Sequence, residues 1–279
     1  MTAPDGVLSG RTVCVTGAAG GIGLETAVAL AKLGAHVAVV ARDSSRGAPA
    51  LDRIRRDGGR VELLTMDLGS LSSIREAAER FASRHARLDV LVHNAAVAVR
   101  RRELTPDGHE RTWATNFLAP FLLTRLWMPL LEAGDAPRVV NVASEAHRSA
   151  RLDWSDPELE RGFAPFRAYA NTKLALILFT RELSRRKPSI AVNAVHPGVI
   201  ATGIWRAVPA PGRWLLSAVL PSAKKGARPV VRLASDPALA GVTGRYFDKV
   251  REARPSAAAS DDHAAARLWE IAENATAGA

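Results

Sequence analysis

The chain has 279 residues, 47% of them hydrophobic and 24% charged, enough apolar material for a sizeable core and near the upper size of one domain. Its 38 basic and 28 acidic residues leave a formal charge of +10, yet the arginines are scattered, with small clusters only at Arg53-Arg55-Arg56, Arg100-Arg101-Arg102 and Arg185-Arg186-Lys187. No segment interleaves basic with aromatic residues and only 5% of the chain is aromatic, which argues against a nucleic-acid partner. A lone cysteine, Cys14, excludes an internal disulfide. No run of about eighteen apolar residues occurs and the first residues lack an apolar signal core, so a cytoplasmic protein without a transmembrane segment is expected.

Six short, nearly continuous apolar runs, at residues 12–16, 37–41, 61–66, 90–93, 139–143 and 190–195, are predicted as strands, with longer helical patterns between them. Runs that are apolar throughout belong to strands covered on both faces. The expected fold class is therefore α/β: a doubly wound parallel sheet with helices on either side, in a single domain. Right-handed crossovers bring the carboxyl ends of the strands, and the loops after them, to one edge where ligands bind. The helix holding Tyr169 continues through Leu174-Ala175-Leu176-Ile177-Leu178-Phe179 with almost no polar face and needs cover on two sides. The sheet is one cover; a second subunit, touching the stretch 107–131 as well, is expected as the other, which predicts a homodimer. Residues 253–260 read as loose chain.

The first strand runs into Thr16-Gly17-Ala18-Ala19-Gly20-Gly21-Ile22-Gly23, a strand, glycine turn and helix in succession. In that setting Gly17 takes the sharp turn, Gly21 lets backbone approach a pyrophosphate, and Gly23 lets the helix pack closely, with the free amides of its N-terminus turned to the phosphates. The spacing is G-x-x-x-G-x-G, not the G-x-G-x-x-G of many dinucleotide folds, and a plain glycine turn is the competing reading. Arg42 ends the second strand, where an acidic residue would serve a ribose hydroxyl and a guanidinium a ribose phosphate. Ala41 offers no carboxylate, so NADP(H) is expected over NAD(H), with the adjacent Asp43 as the residue that would spoil this. Asp67, after the third strand, either accepts a bond from an adenine amino group or caps the helix over residues 70–76.

Tyr169 and Lys173 are four apart on a predicted helix and so share a face. A phenol near pKa ~10 is a poor base at neutral pH, and lowering it by about three units corresponds to roughly 4 kcal/mol. An ammonium roughly 5 Å away supplies about 3 kcal/mol at an effective dielectric near 20, and the charge of an oxidised nicotinamide can supply the rest. Ser144 ends the fifth strand, on the same edge as the glycine turn, and can orient a substrate oxygen. Asn116 falls inside a helical pattern, where an amide is an indifferent choice unless it bonds something. It is either a helix-bending polar residue or the holder of a water that passes protons toward Lys173. His147, three residues after Ser144, suggests a hydrolase pair, but no G-x-S-x-G elbow surrounds that serine. His36, His93, His109 and His196 do not cluster with cysteine or closely spaced carboxylates, so no metal site is expected.

In this order and setting the motifs resemble a short-chain dehydrogenase/reductase, and more narrowly its retinol dehydrogenase and protochlorophyllide reductase-like branch. The resemblance covers nearly the whole chain: the TGAAGGIG turn, Arg42, Met66-Asp67-Leu68, LDVLVHNAA at 88–96, Asn116, Ser144, Tyr169 with Lys173, His196-Pro197-Gly198 with Thr202, and LAGVTGRYF at 239–247. It implies a Rossmann-type sheet and a catalytic tetrad of Asn116, Ser144, Tyr169 and Lys173, with Asn94 and the Pro197-Gly198 turn bordering the nicotinamide. Cofactor contacts are implied for Gly17, Gly20, Gly21, Ile22, Gly23, Arg42, Asp67, Leu68, Asn94, Ala95, Tyr169, Lys173, Pro197, Gly198 and Thr202. Two departures stand out. The family usually has Asn-Asn-Ala-Gly where this chain has His93-Asn94-Ala95-Ala96, and the Ala96 methyl is intolerable if the backbone there needs positive φ. Gly20 stands where the family often has serine, which removes one hydroxyl contact.

The stretch at about 199–222 loosens into prolines, glycines and large apolar groups, among them Ile204, Trp205, Trp214, Leu215 and Leu216, and corresponds to the family's substrate lid. An apolar lid over a polar tetrad suits a small lipophilic alcohol, aldehyde or ketone. The same residues read alternatively as a partner contact or a membrane-touching patch, helped by Lys224-Lys225. The expected activity is reversible hydride transfer between NADP(H) and such a substrate, with Tyr169 as general acid/base. Its rivals are an NADP(H)-sensing regulatory protein without turnover, against which an intact tetrad argues, and a light-dependent double-bond reductase of the protochlorophyllide type.

Overall fold

In the computed structural model, which describes residues 6–199 and 222–277, the apolar runs form β1 (Thr12–Thr16), β2 (His36–Ala41), β3 (Arg60–Thr65), β4 (Val90–His93), β5 (Arg138–Val142) and β6 (Ala191–His196). Each lies within one residue of its predicted limits. Thr202, and the expected lid from 200 to 221, lie outside the described residues. Two further strands, β7 (Tyr246–Asp248) and β8 (Arg251–Glu252), extend one edge, giving the order β3-β2-β1-β4-β5-β6-β7-β8. All pairings are parallel except β7 with β8, so the expected doubly wound parallel sheet carries one two-residue antiparallel strand at its edge. The order reverses between β1 and β4, and the crevice of a doubly wound sheet opens at that switch point, beyond the carboxyl ends of the strands.

The helices are α1 (Gly21–Lys32), α2 (Ser44–Arg56), α3 (Leu71–Ala82), α4 (Arg111–Trp113), α5 (Ala119–Leu126), α6 (Met128–Glu132), α7 (Pro165–Arg186), α8 (Ala223–Ser235) and α9 (Asp262–Thr276). A π-helical turn, Ala114–Leu118, joins α4 to α5. Strand alternation sorts the two layers. Val13, Val15, Val37 and Val39 turn to the side of α1 and α8, where Ala27, Leu30, Val230 and Leu233 meet them. Cys14, Ala38, Val40 and Leu91 turn to the other side, against Phe81, Phe117, Phe121 and the apolar run of α7. Both faces of the sheet are thus buried, as continuous apolar strands require.

The second cover that α7 needs comes from the chain itself. On α9, the Trp269 ring lies edge-on to Phe121 at 4.9 Å and stacks on Phe179 at 6.0 Å, with the Arg186 guanidinium 4.5 Å over its face. The apolar character of α7 therefore gives no reason to expect a second subunit there. Residues 253–260 are not loose either: they hold a 3₁₀ turn, Ala258–Ser260, and the Ser256 amide donates to His147 Nε2 at 3.1 Å.

Candidate active site

The glycine turn makes the cradle. Gly17 has φ +66°, and a Cβ there would lie 2.7 Å from the Ala95 Cα; on Gly23 it would lie 2.4 Å from both Asn94 Nδ2 and the Gly17 carbonyl. Only glycine allows the turn, helix α1 and the end of β4 to approach this closely. No side chain caps α1, and a Cβ on its N-cap, Gly20, would meet nothing within 4 Å. Free amides at the start of a twelve-residue helix, opening on space at the switch point, suit the pyrophosphate of a dinucleotide. Gly21 and the buried Ile22 begin that helix.

Thr16 and Asn94 tie the two walls of the crevice. Thr16 Oγ1 accepts from the amides of Asn94 (3.0 Å) and Ala95 (3.1 Å), while Asn94 Nδ2 donates to the carbonyls of Thr16 (2.9 Å) and Gly17 (3.3 Å). The Asn94 side-chain NH2 group is thus committed to backbone across the crevice. Ala96 is absent from the described non-glycine residues with positive φ, which are Ala136, Leu159 and Lys249, so its methyl is harmless. On the far wall Pro197 and Gly198 (φ +94°) follow β6, both partly buried.

Arg42 extends from the end of β2 with 54% of its side chain exposed, its Nε 3.8 Å from Asp67 Oδ1. The neighbouring Asp43 does not compete for that place. Its Oδ1 accepts from the Arg46 amide (2.9 Å) and the Ser45 hydroxyl (2.6 Å), which commits it to the N-cap of α2. Asp67 is not the cap of α3; Ser70 is, and Asp67 instead closes a local turn by accepting from the Gly69 amide at 2.9 Å. Leu68 beside it is partly buried against the core.

Ser144, Tyr169 and Lys173 converge where β5 and α7 meet. Lys173 is almost fully buried, its Nζ donating to the Val142 carbonyl at 2.8 Å and lying 5.4 Å from the centre of the Tyr169 ring. Burial pushes its pKa down to about 7. Burial pushes the Tyr169 phenol up, and a hydrogen-bonding contact with the Ser144 side chain pulls the other way. Desolvation is the larger of these two effects on the phenol. Ser144 Oγ also accepts from the Ala146 amide at 3.2 Å.

The Asn116 amide is fully bonded within the protein. It lies in the π turn, fully buried, with Oδ1 accepting from the Val97 amide (2.8 Å) and Nδ2 donating to the Val97 carbonyl (2.9 Å) and to Thr172 Oγ1 (3.2 Å). Its side chain makes no bond to Lys173; it fastens the loop after β4 to helix α7. Thr16, Val97 and Thr172 are the supporting residues that sequence reasoning missed. Their only signal is adjacency to the motifs. His147 is not half of a hydrolytic pair. Its Nδ1 donates to the Ser144 carbonyl at 2.7 Å and its Nε2 accepts from Ser256, the arrangement of a neutral ring, and burial lowers its pKa accordingly.

A helix-start cradle at the switch point, with a tyrosine, a serine and a buried lysine at its side, defines a dinucleotide-dependent oxidoreductase. The chain matches the family model described as short chain dehydrogenase over residues 11–211 and belongs to that family, whose members act on CH-OH or C=O groups with NAD(P). It is similar to mouse (Mus musculus) retinol dehydrogenase 13, 38% identical over 278 residues that cover 94% of this chain and 82% of the relative. Mouse polyprenol dehydrogenase is 39% identical over 274 residues, 93% of this chain and 82% of the relative. Among solved structures, an uncharacterized protein from Mycobacterium paratuberculosis superposes with a TM-score of 0.81 at 33% identity, covering 97% of this chain and 94% of that one. These relatives set the chain in the retinol dehydrogenase-like branch. No helix among the described residues is long and apolar enough to cross a membrane.

Proposed function

We propose that this protein interconverts a small lipophilic alcohol and its aldehyde or ketone, using NADP(H) in preference to NAD(H), with Tyr169 as general acid/base. The observation that carries the reading is the convergence of Ser144 and Lys173 on the Tyr169 phenol beside the glycine cradle. When bound, the dinucleotide supplies or takes up the hydride, and the positive charge of its oxidised ring helps to acidify the phenol. Tyr169 Oη gives its proton to the substrate oxygen in reduction and takes it back in oxidation. The Ser144 hydroxyl donates to that same oxygen and holds it in reach. Lys173, kept near the ring by the Val142 carbonyl, favours the phenolate whenever it carries its proton. Arg42, with the Asp43 carboxylate turned away to its cap, pairs with a ribose phosphate. The lipophilic substrate class is supported by the names of the retinol and polyprenol relatives and by the tryptophans and leucines in the 199–222 stretch.

Replacing Tyr169 by Phe tests the assignment. The expected result is a loss of kcat of about 10²–10⁴-fold with NADPH binding, read by its fluorescence, nearly unchanged. Turnover within tenfold of the parent would remove Tyr169 from the role. Hydrophobic aldehydes and ketones, screened by NADPH absorbance beside an NADH control, test the substrate class.

A further inference from the structure

Three metal-capable side chains meet near the amino ends of the strands, at the edge of the sheet opposite the cradle. His36 opens β2, Glu62 lies on the neighbouring β3, and His85 follows α3. One ligand atom from each lies within 4.8 Å of the other two. Glu62 Oε1 is 2.5 Å from His85 Nε2 and 3.9 Å from His36 Nε2, and the two imidazole rings stand 5.6 Å apart. This corrects the expectation that His36 has no carboxylate near it: the parallel register sets Glu62 beside Ala38, two residues along β2 from His36. None of the three takes part in the chemistry above.

We propose that His36, Glu62 and His85 form a binding site for one zinc(II) ion, with water completing its coordination. Two imidazoles and a carboxylate are a donor set for first-row transition metals, and they disfavour magnesium and calcium, which prefer oxygen alone. Bonds of about 2.0–2.2 Å in a tetrahedron put neighbouring donor atoms about 3.3–3.5 Å apart. The Glu62–His85 contact must therefore open, and the Glu62–His36 contact close, by less than about 1 Å each. Without metal, a proton bridges Glu62 and His85; zinc takes the place of that proton.

The surroundings hold the donors in place. Phe81 stacks on the His85 ring with centroids 4.2 Å apart, and Arg84 Nη1 is 3.2 Å from Glu62 Oε2, leaving Oε1 for the metal. The side chains are 33%, 18% and 13% exposed, open enough for an ion to enter from solution. The +10 charge of the chain repels loosely held cations, so one equivalent of bound zinc reports on a specific donor set.

The test uses the purified full chain, stripped with a chelator and dialysed against zinc chloride in a non-coordinating buffer. At pH 7.5 the expected result is about one zinc per chain with Kd on the order of micromolar, a raised Tm, and uptake that falls as pH is lowered to 5.5 because protons compete for the imidazoles. Glu62→Gln and His85→Ala should each weaken binding at least about tenfold, while His263→Ala, at an exposed position on α9, leaves it unchanged. His36→Gln serves as the donor variant should His85→Ala fail to give a native circular dichroism spectrum. Uptake below about 0.2 equivalents at 100 μM zinc, or uptake unchanged in the folded donor variants, overturns the site. No turnover enters these readouts, so the result stands apart from the proposed reaction.

Discussion

Lys173 Nζ is bonded to the Val142 carbonyl at 2.8 Å, so strand β5, not the tyrosine, holds the lysine in place. Its burial has an energetic sign. The unfolded chain holds the Lys173 proton with a pKa near 10.5 and the folded chain with one of about 7. Between those values the unfolded state binds more protons, so this group makes stability rise with pH, and its cost is fully present below about pH 7. Lys173→Met should therefore stabilise the fold by on the order of 1–2 kcal/mol at pH 7 while lowering kcat at least a hundredfold. Chemical denaturation and steady-state kinetics check the two halves; a destabilised variant would mean that the lysine contributes more to the fold than its burial costs.

His109 carries the opposite dependence. Its Nδ1 is 2.8 Å from Glu158 Oε1 and its Nε2 3.2 Å from the Ala275 carbonyl, joining the loops before α4 and α7 to the end of α9. The Glu158 hydrogen bond raises the His109 pKa above its usual 6.5. A raised pKa contributes stability that is fully present below about pH 6.5 and is lost as pH climbs through the higher folded value. His109→Gln should cost about 1 kcal/mol at pH 5.5 and less at pH 9, measured by urea unfolding at both.

Asp43 is occupied as a helix cap, and the proposed reading pairs the Arg42 guanidinium with a ribose phosphate. Arg42→Asp should cut the ratio of kcat/KM for NADPH over NADH by at least about tenfold. An unchanged ratio would take Arg42 out of the cofactor site.

The cover of α7 by α9 rests on Trp269. Trp269→Ala should cost about 3–4 kcal/mol, read as a lowered urea midpoint. Light scattering of the parent chain at micromolar concentration gives its subunit count. A dimer would have to use another surface.

Much of the fold could be read from the chain because its signals are local. Continuous valine-rich runs fixed six strands to within a residue, and the glycine turn lay where a strand meets a helix. β7 and β8 escaped because strands of three and two residues carry no periodicity of their own. The α9 cover escaped for another reason: an alternating Ala/Leu/Trp helix does not say which partner its face will meet. At the candidate site, the sequence offers residues for a tetrad but says nothing of their bonding. Asn116 bonds Val97 and Thr172, 19 and 56 residues away, and the ionisation of Lys173 depends on a burial that only the assembled sheet produces. The His36–Glu62–His85 cluster is likewise invisible until β2 and β3 are in register.

The imidazole of His147, bonded on one side to the Ser144 carbonyl and on the other to the Ser256 amide, spans 109 residues of chain. During synthesis on the ribosome, Ser144 emerges long before Ser256, whose amide completes the anchorage of its turn. The turn carrying the Ser144 hydroxyl reaches its final anchorage only after the segment around Ser256 has left the exit tunnel, so a nascent chain stopped short of that point would have the glycine cradle without that anchorage.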